Sequence, residues 1–165
     1  MFRFYSFFFF LFLSVCSLFG QQITDTESSH AHNGEALQVI KQMLDNKIDS
    51  AAFAEASGYL FQWAAPSHDV NVMINDVIGE MQNVPNGHYY VFGYIAACCE
   101  VQLEDKSLVM NWPRFIKAMT RLTDFYCNNS SFTGKVEPLE SYSKLDAKSL
   151  EKRLRKDFAE LIKEE

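Results

Sequence analysis

The sequence predicts an all-α protein, a compact bundle of about six helices that follows an N-terminal signal segment. Three observations support this class. The first 20 residues are almost wholly apolar and contain one charge. Most of the remaining chain repeats apolar residues at intervals of three and four, which is the spacing of one helix face. Ser, Asn, Asp and Pro residues separate these repeats, as is typical of helix caps and helix ends.

The signal segment comprises residues 1–20. Arg3 is its one charged residue, and the phenylalanines from Phe7 to Phe10 lie at the centre of its apolar stretch. The stretch is slightly short for a membrane span, which needs about 20 apolar residues, and no stop-transfer pattern follows. We therefore expect a cleaved signal and a protein exported to the periplasm or secreted. An uncleaved signal segment would be its one contact with a membrane.

Signal cleavage has two candidate positions. Gly20 offers the small residue required before the cut, although Leu18 at the −3 position is large. A cut after Ser17 is the alternative. A lipid-modified N-terminus at Cys16 is disfavoured, because Val15 stands where a small residue is expected.

The charge of the chain limits its partners. The net charge is −6. Residues 21–134 contain 6 basic and 13 acidic residues, whereas residues 135–165 contain 8 of each. Nucleic acids and anionic lipids bind through Lys and Arg side chains that neutralise phosphates. An acidic surface repels both, so we predict no nucleic-acid partner, and the negative charge is itself typical of a soluble protein.

A polar leader follows the signal. Residues 21–33 show no periodicity, and we expect them to form a flexible segment ahead of a single helical domain over residues 34–165. His30 and His32 alternate in this leader. Two imidazoles in a mobile segment make a weak metal site, so we predict neither a metal nor another cofactor.

The first three helices are predicted from apolar periodicity. The first begins near Gly34 and has the inward residues Leu37, Ile40, Leu44 and Ile48. Ser50 is placed to cap the second, which ends at Pro66. Ser67 is placed to cap the third, which ends at Pro85 and has the clearest apolar stripe of the chain: Val70, Met73, Ile74, Val77, Ile78 and Met81.

The fourth and fifth helices form the predicted centre of the bundle. Residues 88–103 are apolar on nearly every side, which indicates a buried central helix. The β-prone residues 89–95 leave a strand as the alternative. Asn111 and Pro113 mark the start of the fifth helix. A loop over residues 128–138 then leads to the last helix.

The last predicted helix covers residues 146–165 and is capped by Asp146. Its apolar stripe is narrow and lies beside a cluster of basic residues; the stripe consists of Leu150, Leu154, Phe158 and Leu161. A narrow stripe predicts weak docking on the acidic body, and a weakly held helix can be exchanged for a partner. The hypothesis is that this stripe is a binding surface for another protein. The simpler interpretation is an ordinary sixth helix of the bundle.

Three cysteines remain after removal of the signal. Thiols of exported proteins form disulfides where geometry allows, and adjacent cysteines rarely bridge each other. The sequence therefore predicts a disulfide between Cys127 and either Cys98 or Cys99. The alternative is three small buried thiols. A metal site is disfavoured, because the cysteines lack paired ligands at the usual spacing.

Aromatic residues concentrate near two predicted helix ends. Tyr59, Phe61 and Trp63 stand near the end of the second helix. Tyr89 and Tyr90 follow the turn before the fourth helix. Tyr and Trp serve both cores and contact surfaces, and a position in the core is the favoured interpretation.

Two Asn-x-Ser triplets begin at Asn128 and Asn129. Such a triplet accepts a glycan in a secreted eukaryotic protein and is a polar turn in a bacterial one. The sequence leaves both alternatives open.

Two classes of function are compatible with these features. The first is an exported binding protein, such as an inhibitor, an immunity-type protein or a chaperone-like partner. The small size, the signal segment and the lack of catalytic motifs favour it. The second is a small secreted hydrolase or redox protein that uses His68, His88 or the vicinal cysteines. No residue identifies a nucleophile, so no catalytic residue is predicted.

Overall fold

The structure, a computed structural model, describes residues 23–162. Within that range it contains eight helices and no strands, which confirms the predicted all-α class. The predicted signal segment, residues 1–20, lies outside the described residues. The helices are α1 Thr26–Ala31, α2 Asn33–Asp45, α3 Ala51–Ala64, α4 Asp76–Gly79, α5 His88–Asp105, α6 Trp112–Thr133, α7 Leu139–Tyr142 and α8 Ala147–Asp157, with a 3₁₀ turn, Glu80–Asn83, directly after α4.

Helix α5 is the centre of the bundle, as predicted, and the alternative of a strand is wrong. Residues 96–102 are all buried, so this part of the helix has no solvent face. Its N-terminal half approaches α6 closely at Gly93. A Cβ atom at this position would lie 2.9 Å from Cδ1 of Phe125, so only glycine fits without a shift of the ring.

The remaining long helices pack around α5. Helix α6 runs antiparallel to it, since Tyr90 contacts Tyr126 at one end and Asp105 pairs with Arg114 at the other. Helix α2 packs against both α3 and α5. Helix α8 packs against α6. Apolar side chains from all of these helices form one core cluster.

Three of the four predicted helix caps are confirmed. The side chains of Ser50, Asn111 and Asp146 each accept a hydrogen bond from the N–H three residues later, at 3.1, 3.2 and 2.9 Å. The prediction for Ser67 is wrong. Its hydroxyl accepts a hydrogen bond from the N–H of Asp69 at 3.2 Å, within a segment that is not helical.

The predicted third helix is wrong over most of its length, because residues 68–75 are not helical. Side chains of α5 hold the backbone of this segment. The Gln102 amide makes two hydrogen bonds to the backbone of Asn71, at 2.7 and 2.8 Å. The Tyr94 hydroxyl donates to the carbonyl oxygen of Met73 at 2.8 Å. Both side chains are buried in the helix bundle and need partners, so these bonds override the helical pattern of the sequence.

Helix α6 extends to Thr133, through about half of the predicted loop over residues 128–138. Its last turn is held by buried polar side chains. The Asn129 side chain accepts a 3.0 Å hydrogen bond from the backbone between α2 and α3. The Thr133 hydroxyl bonds to the Tyr90 hydroxyl at 2.6 Å. Asn129 is 1% exposed, so of the two Asn-x-Ser triplets only Asn128 presents an accessible side chain.

Helix α1 lies within residues 21–33, the segment expected to be a flexible leader. The Asp25 carboxylate accepts a hydrogen bond from the Ser28 N–H at 2.8 Å, and the Ser28 hydroxyl accepts one from the Asp25 N–H at 3.2 Å. Ser29 is buried, and its hydroxyl donates to the carbonyl oxygen of Trp63 at 3.0 Å. The sequence showed no periodicity here because this helix docks through polar contacts.

Candidate functional site

Four aromatic side chains reach solvent side by side where α3 faces α5. We call Phe61, His88, Tyr89 and Phe92 the aromatic surface. Phe61 is 47% exposed and His88 is also exposed. Tyr89 and Phe92 are partly buried against the core. The sequence pointed to Phe61 and Tyr89 as aromatic residues but favoured a place in the core for both.

The rings of the aromatic surface are in mutual contact. Phe61 meets Phe92 edge-on, with ring centroids 5.0 Å apart. His88 lies 6.2 Å from Phe92 and 4.1 Å from Tyr89. Edge-on and tilted arrangements at these separations are the favourable ones for aromatic pairs. The four side chains therefore form one continuous apolar surface across two helices.

Buried rings support the aromatic surface from below. Phe53 meets Tyr89 edge-on at 6.0 Å and stacks on Phe125 at 5.8 Å. Phe125 in turn contacts Tyr90 at 5.8 Å. Phe53, Phe125 and Tyr90 belong to the core. Tyr89 thus rests on a core ring, and the other three surface rings are joined to it through their mutual contacts, so the cluster is ordered in the free protein.

The solvent side of α3 continues this apolar character. Its exposed residues and the exposed residue that caps its C-terminus form what we call the outer face of α3: Ala51, Ala52, Ala54, Glu55, Gly58, Phe61, Gln62 and Ala65. Glu55 is the one charged residue among them. An exposed helix face in a globular protein is normally rich in charged residues. A face made of small apolar residues beside an exposed Phe is instead typical of a contact surface.

A cleft of about 670 Å³ opens on another part of the bundle. Its walls come from α1, the start of α2, Asp69, the end of α5 and the loop after α5. Phe92 of the aromatic surface and Leu103 of the cleft are eleven residues apart on α5, which is about 16 Å along the helix. The two features are therefore separate sites.

Hydrogen bonds link the polar wall of the cleft to the core. His30 Nδ1 donates to Asp69 Oδ2 at 2.6 Å, and the Asn33 side-chain amide donates to the same oxygen at 2.7 Å. The buried indole N–H of Trp63 donates to Oδ1 of Asn33 at 3.2 Å. The hydrogen bond from Asn33, together with that from His30, lowers the pKa of Asp69. The Asp69 carboxylate thus connects His30 of α1 to Asn33 at the start of α2.

The sequence draws attention to His30 but not to its partner, Asp69. His30 and Asp69 are separated by 39 residues, and the pattern of the chain carries no signal that brings them together. His88 belongs to the aromatic surface. His68 is exposed beside Asp69. Among residues 23–162, no group of three or more His, Cys, Asp or Glu side chains is placed to hold a metal ion.

The predicted disulfide is not present in the structure. Cys98 and Cys99 are buried free thiols, and Cys127 is an exposed free thiol. The antiparallel packing of α5 and α6 explains the separation, because Cys127 is level with Tyr90 rather than with Cys98. Eight residues of helix correspond to about 12 Å, whereas a disulfide needs Cα atoms within about 7 Å.

The apolar stripe of the last helix faces inward. Leu150, Leu154 and Phe158 are buried, and Leu161 is partly buried against the core. The Phe158 ring lies 4.8 Å from the ring of Phe115 on α6. The stripe therefore docks α8 on the bundle, as in the simpler interpretation, and does not present an exposed binding surface.

Comparison with known proteins gives no relative. No protein-family model, curated protein or solved structure matches this chain. Within the described range, none of the helices combines the length and the apolar character that a membrane crossing requires.

Proposed function

We propose that this is an exported binding protein that recognises another protein through its aromatic surface. The observation that carries the proposal is the exposed, supported ring cluster of Phe61, His88, Tyr89 and Phe92. Protein interfaces are enriched in aromatic residues, and a few central aromatic side chains supply most of the binding energy. Phe61 has the position expected of such an anchor.

Pre-organisation supports the same proposal. Binding costs free energy for each side chain that becomes ordered, on the order of 1 kcal/mol for a flexible one. The Phe61 and Tyr89 rings already rest on neighbouring rings in the free protein. A partner would therefore meet a surface that needs little rearrangement.

Charge indicates the chemistry of the partner. Residues 21–134 contain 13 acidic and 6 basic residues. Glu55, on the outer face of α3, has no ion pair among the described residues, whereas the acidic residues Glu100, Glu104 and Asp105 are paired with α6. We infer that the partner offers an apolar pocket for Phe61 with basic side chains at its rim, because complementary charge speeds association and excludes wrong partners.

The alternative of a redox protein or thiol hydrolase has less support. Burial raises the pKa of the Cys98 thiol to about 12 and also raises that of Cys99. The reactive form of cysteine is the thiolate, which is scarce at neutral pH when the pKa is this high. The vicinal cysteines are thus better suited to the core than to chemistry.

Photocrosslinking at two matched positions tests the proposal. Benzoylphenylalanine replaces Phe61 in one variant and Phe132 in the other. Phe132 is a suitable control because it is 53% exposed, lies on α6 and makes no ring contact among the described residues. In cells that export the protein, we expect a discrete adduct with one basic protein at position 61 and not at position 132.

Three outcomes would contradict the proposal. Equal adducts at both positions would indicate nonspecific capture. An adduct with a second copy of the chain at position 61 would assign the surface to self-association. The absence of any protein adduct at position 61, under conditions in which the variant is folded and exported, would exclude this surface as a protein contact.

A further inference from the structure

The cleft has the dimensions of a small-molecule site. Its volume of about 670 Å³ lies within the range of typical ligand pockets, roughly 300–1,000 Å³. Three separate stretches of the chain form its walls, residues 30–37, Asp69 and residues 102–108, so its shape depends on the folded bundle. Such a concave region with apolar walls and a few convergent polar groups is the usual setting of a ligand.

One wall of the cleft is apolar. Leu37 of α2 and Leu103 of α5 line it and are partly buried. Leu108, in the loop after α5, also lines it and is 49% exposed. A leucine that is half exposed beside a cavity gains burial when an apolar group enters. This wall therefore suits the hydrocarbon part of a ligand.

Lys106 provides a positive charge in the lining of the cleft. Among the described residues its side chain has neither an ion pair nor a hydrogen bond. Other basic residues of α2, the loop after it and α6 are all engaged; these are Lys41, Lys47, Arg114, Lys117 and Arg121. Among the basic residues between positions 23 and 134, Lys106 is thus the one whose side chain is not engaged, and it lines the cleft. Lys148, Lys152 and Lys156 of α8 also lack a side-chain partner among the described residues, but none of them lines the cleft.

The backbone at Lys106 is also unusual. Its φ and ψ angles are 49° and 47°, the left-handed conformation that ends α5. Glycine is the usual residue at this type of helix end, because a side chain there costs about 1 kcal/mol. The lysine side chain therefore destabilises this helix end, and no ion pair or side-chain hydrogen bond within the described structure offsets that cost.

Asp69, the acidic residue of the cleft, makes no ion pair with Lys106 within the described structure. Oδ2 of Asp69 accepts hydrogen bonds from His30 and Asn33, at 2.6 and 2.7 Å. This carboxylate oxygen is therefore already occupied by two donors of the protein. Lys106 remains available to an acidic group.

We infer that the cleft binds a small amphiphilic organic anion, with its acidic group at Lys106 and its hydrocarbon part against Leu37, Leu103 and Leu108. This site is independent of the aromatic surface and of the protein partner proposed above. A medium-chain carboxylate has the required chemistry.

Fluorescence of anilinonaphthalene sulfonate, an apolar anion, reports on this site in the purified protein. We expect saturable 1:1 binding of the probe. Octanoate should displace it at a concentration about tenfold lower than octanol, because only octanoate carries a charge that Lys106 can bind. Equal displacement by octanoate and octanol, or the absence of saturable binding, would overturn the inference.

Two substitutions of basic residues separate binding from folding. Lys106→Gly removes the ammonium group and also places glycine at the left-handed position. We expect its melting temperature to rise by a few degrees while the affinity for octanoate falls about tenfold or more. Lys152→Glu, on the exposed side of α8, is the charge control and should bind as the parent protein does.

The same measurements can refute the site. Unchanged octanoate affinity in Lys106→Gly would show that Lys106 does not bind the anion. Equal weakening in Lys152→Glu would show that only the overall charge matters. Loss of probe fluorescence in Phe61→Ser would place the probe on the aromatic surface instead of in the cleft.

Discussion

The aromatic surface and the cleft differ in how the bundle builds them. The aromatic surface is made by side chains of two long helices and rests on core rings, so it is apolar and fixed by packing. The cleft is made by three stretches of the chain, and its polar wall is held by hydrogen bonds from Trp63 through Asn33 to Asp69. The comparison teaches that ring packing between neighbouring helices organises the first feature, whereas long-range hydrogen bonds organise the second.

The largest effect is expected below the aromatic surface. Phe53→Ala removes the buried ring that contacts both Tyr89 and Phe125. We expect a loss of about 3–5 kcal/mol in the free energy of unfolding, measured in urea. Phe132→Ala, which truncates an exposed ring, should change it by no more than about 0.5 kcal/mol. A loss below about 1 kcal/mol for Phe53→Ala would show that core packing does not support this surface.

An intermediate effect is expected at the polar wall of the cleft. Trp63→Phe removes the N–H that donates to the carbonyl oxygen of Ser29 at 3.0 Å and to Asn33 at 3.2 Å. Leaving these buried acceptors without a donor should cost about 1–3 kcal/mol of unfolding free energy.

Trp112→Phe is the matched control for this substitution. The buried Nε1 of Trp112 has no hydrogen-bond partner within the described structure. Its replacement loses packing and weakens the contact of the Arg155 guanidinium, 4.8 Å above the ring, but removes no hydrogen bond. We therefore expect Trp63→Phe to cost about 1 kcal/mol more than Trp112→Phe in the same urea titration. Equal costs would mean that the hydrogen bonds of Trp63 do not hold the cleft together.

A smaller, pH-dependent effect is expected at Asp69. Hydrogen bonds from Asn33 and His30 lower its folded pKa below the ordinary value of 3.8, so the carboxylate stabilises the fold above that pH. This contribution is lost as the pH falls through the lowered folded pKa. Asp69→Asn should therefore be less stable than the parent protein at neutral pH, and the difference should close below pH 3.8.

Asp124→Asn serves as the control for the pH series. Asp124 is exposed and makes no hydrogen bond within the described structure. Its substitution should leave thermal stability unchanged over the same pH range. A stability difference at Asp69 that stays constant from neutral to acid pH would contradict a role for the charged carboxylate.

The sequence predicts the long helices well because their signals are local. The cap at Ser50, the start at Asn111 and the apolar run of α5 all lie within a few residues of the structure that they specify. The apolar stripe over residues 70–81 predicted a helix, but residues 68–75 are not helical. Gln102 and Tyr94 of α5 form hydrogen bonds to the backbone of that segment instead. Such long-range partners leave no mark in local periodicity.

The two sites could be predicted only in part. The sequence singled out Phe61 and Tyr89, but their exposure depends on how α3 faces α5. His30 was noted, whereas its pairing with Asp69 depends on the docking of α1. Exposure and long-range pairing are properties of the packed chain. Residue patterns therefore pointed to single members of each site but not to the sites themselves.

The smallest expected effect on stability accompanies the largest expected effect on binding. Phe61→Ser removes an exposed ring, so the free energy of unfolding should change by no more than about 0.5 kcal/mol. Calorimetric titration against the protein crosslinked at position 61 measures the central claim directly. We expect Phe61→Ser to weaken the Kd by about 30-fold, as for an interface anchor worth about 2 kcal/mol, and Phe132→Ser to leave it within about twofold. Equal Kd values for the two folded variants would contradict a binding role for the aromatic surface.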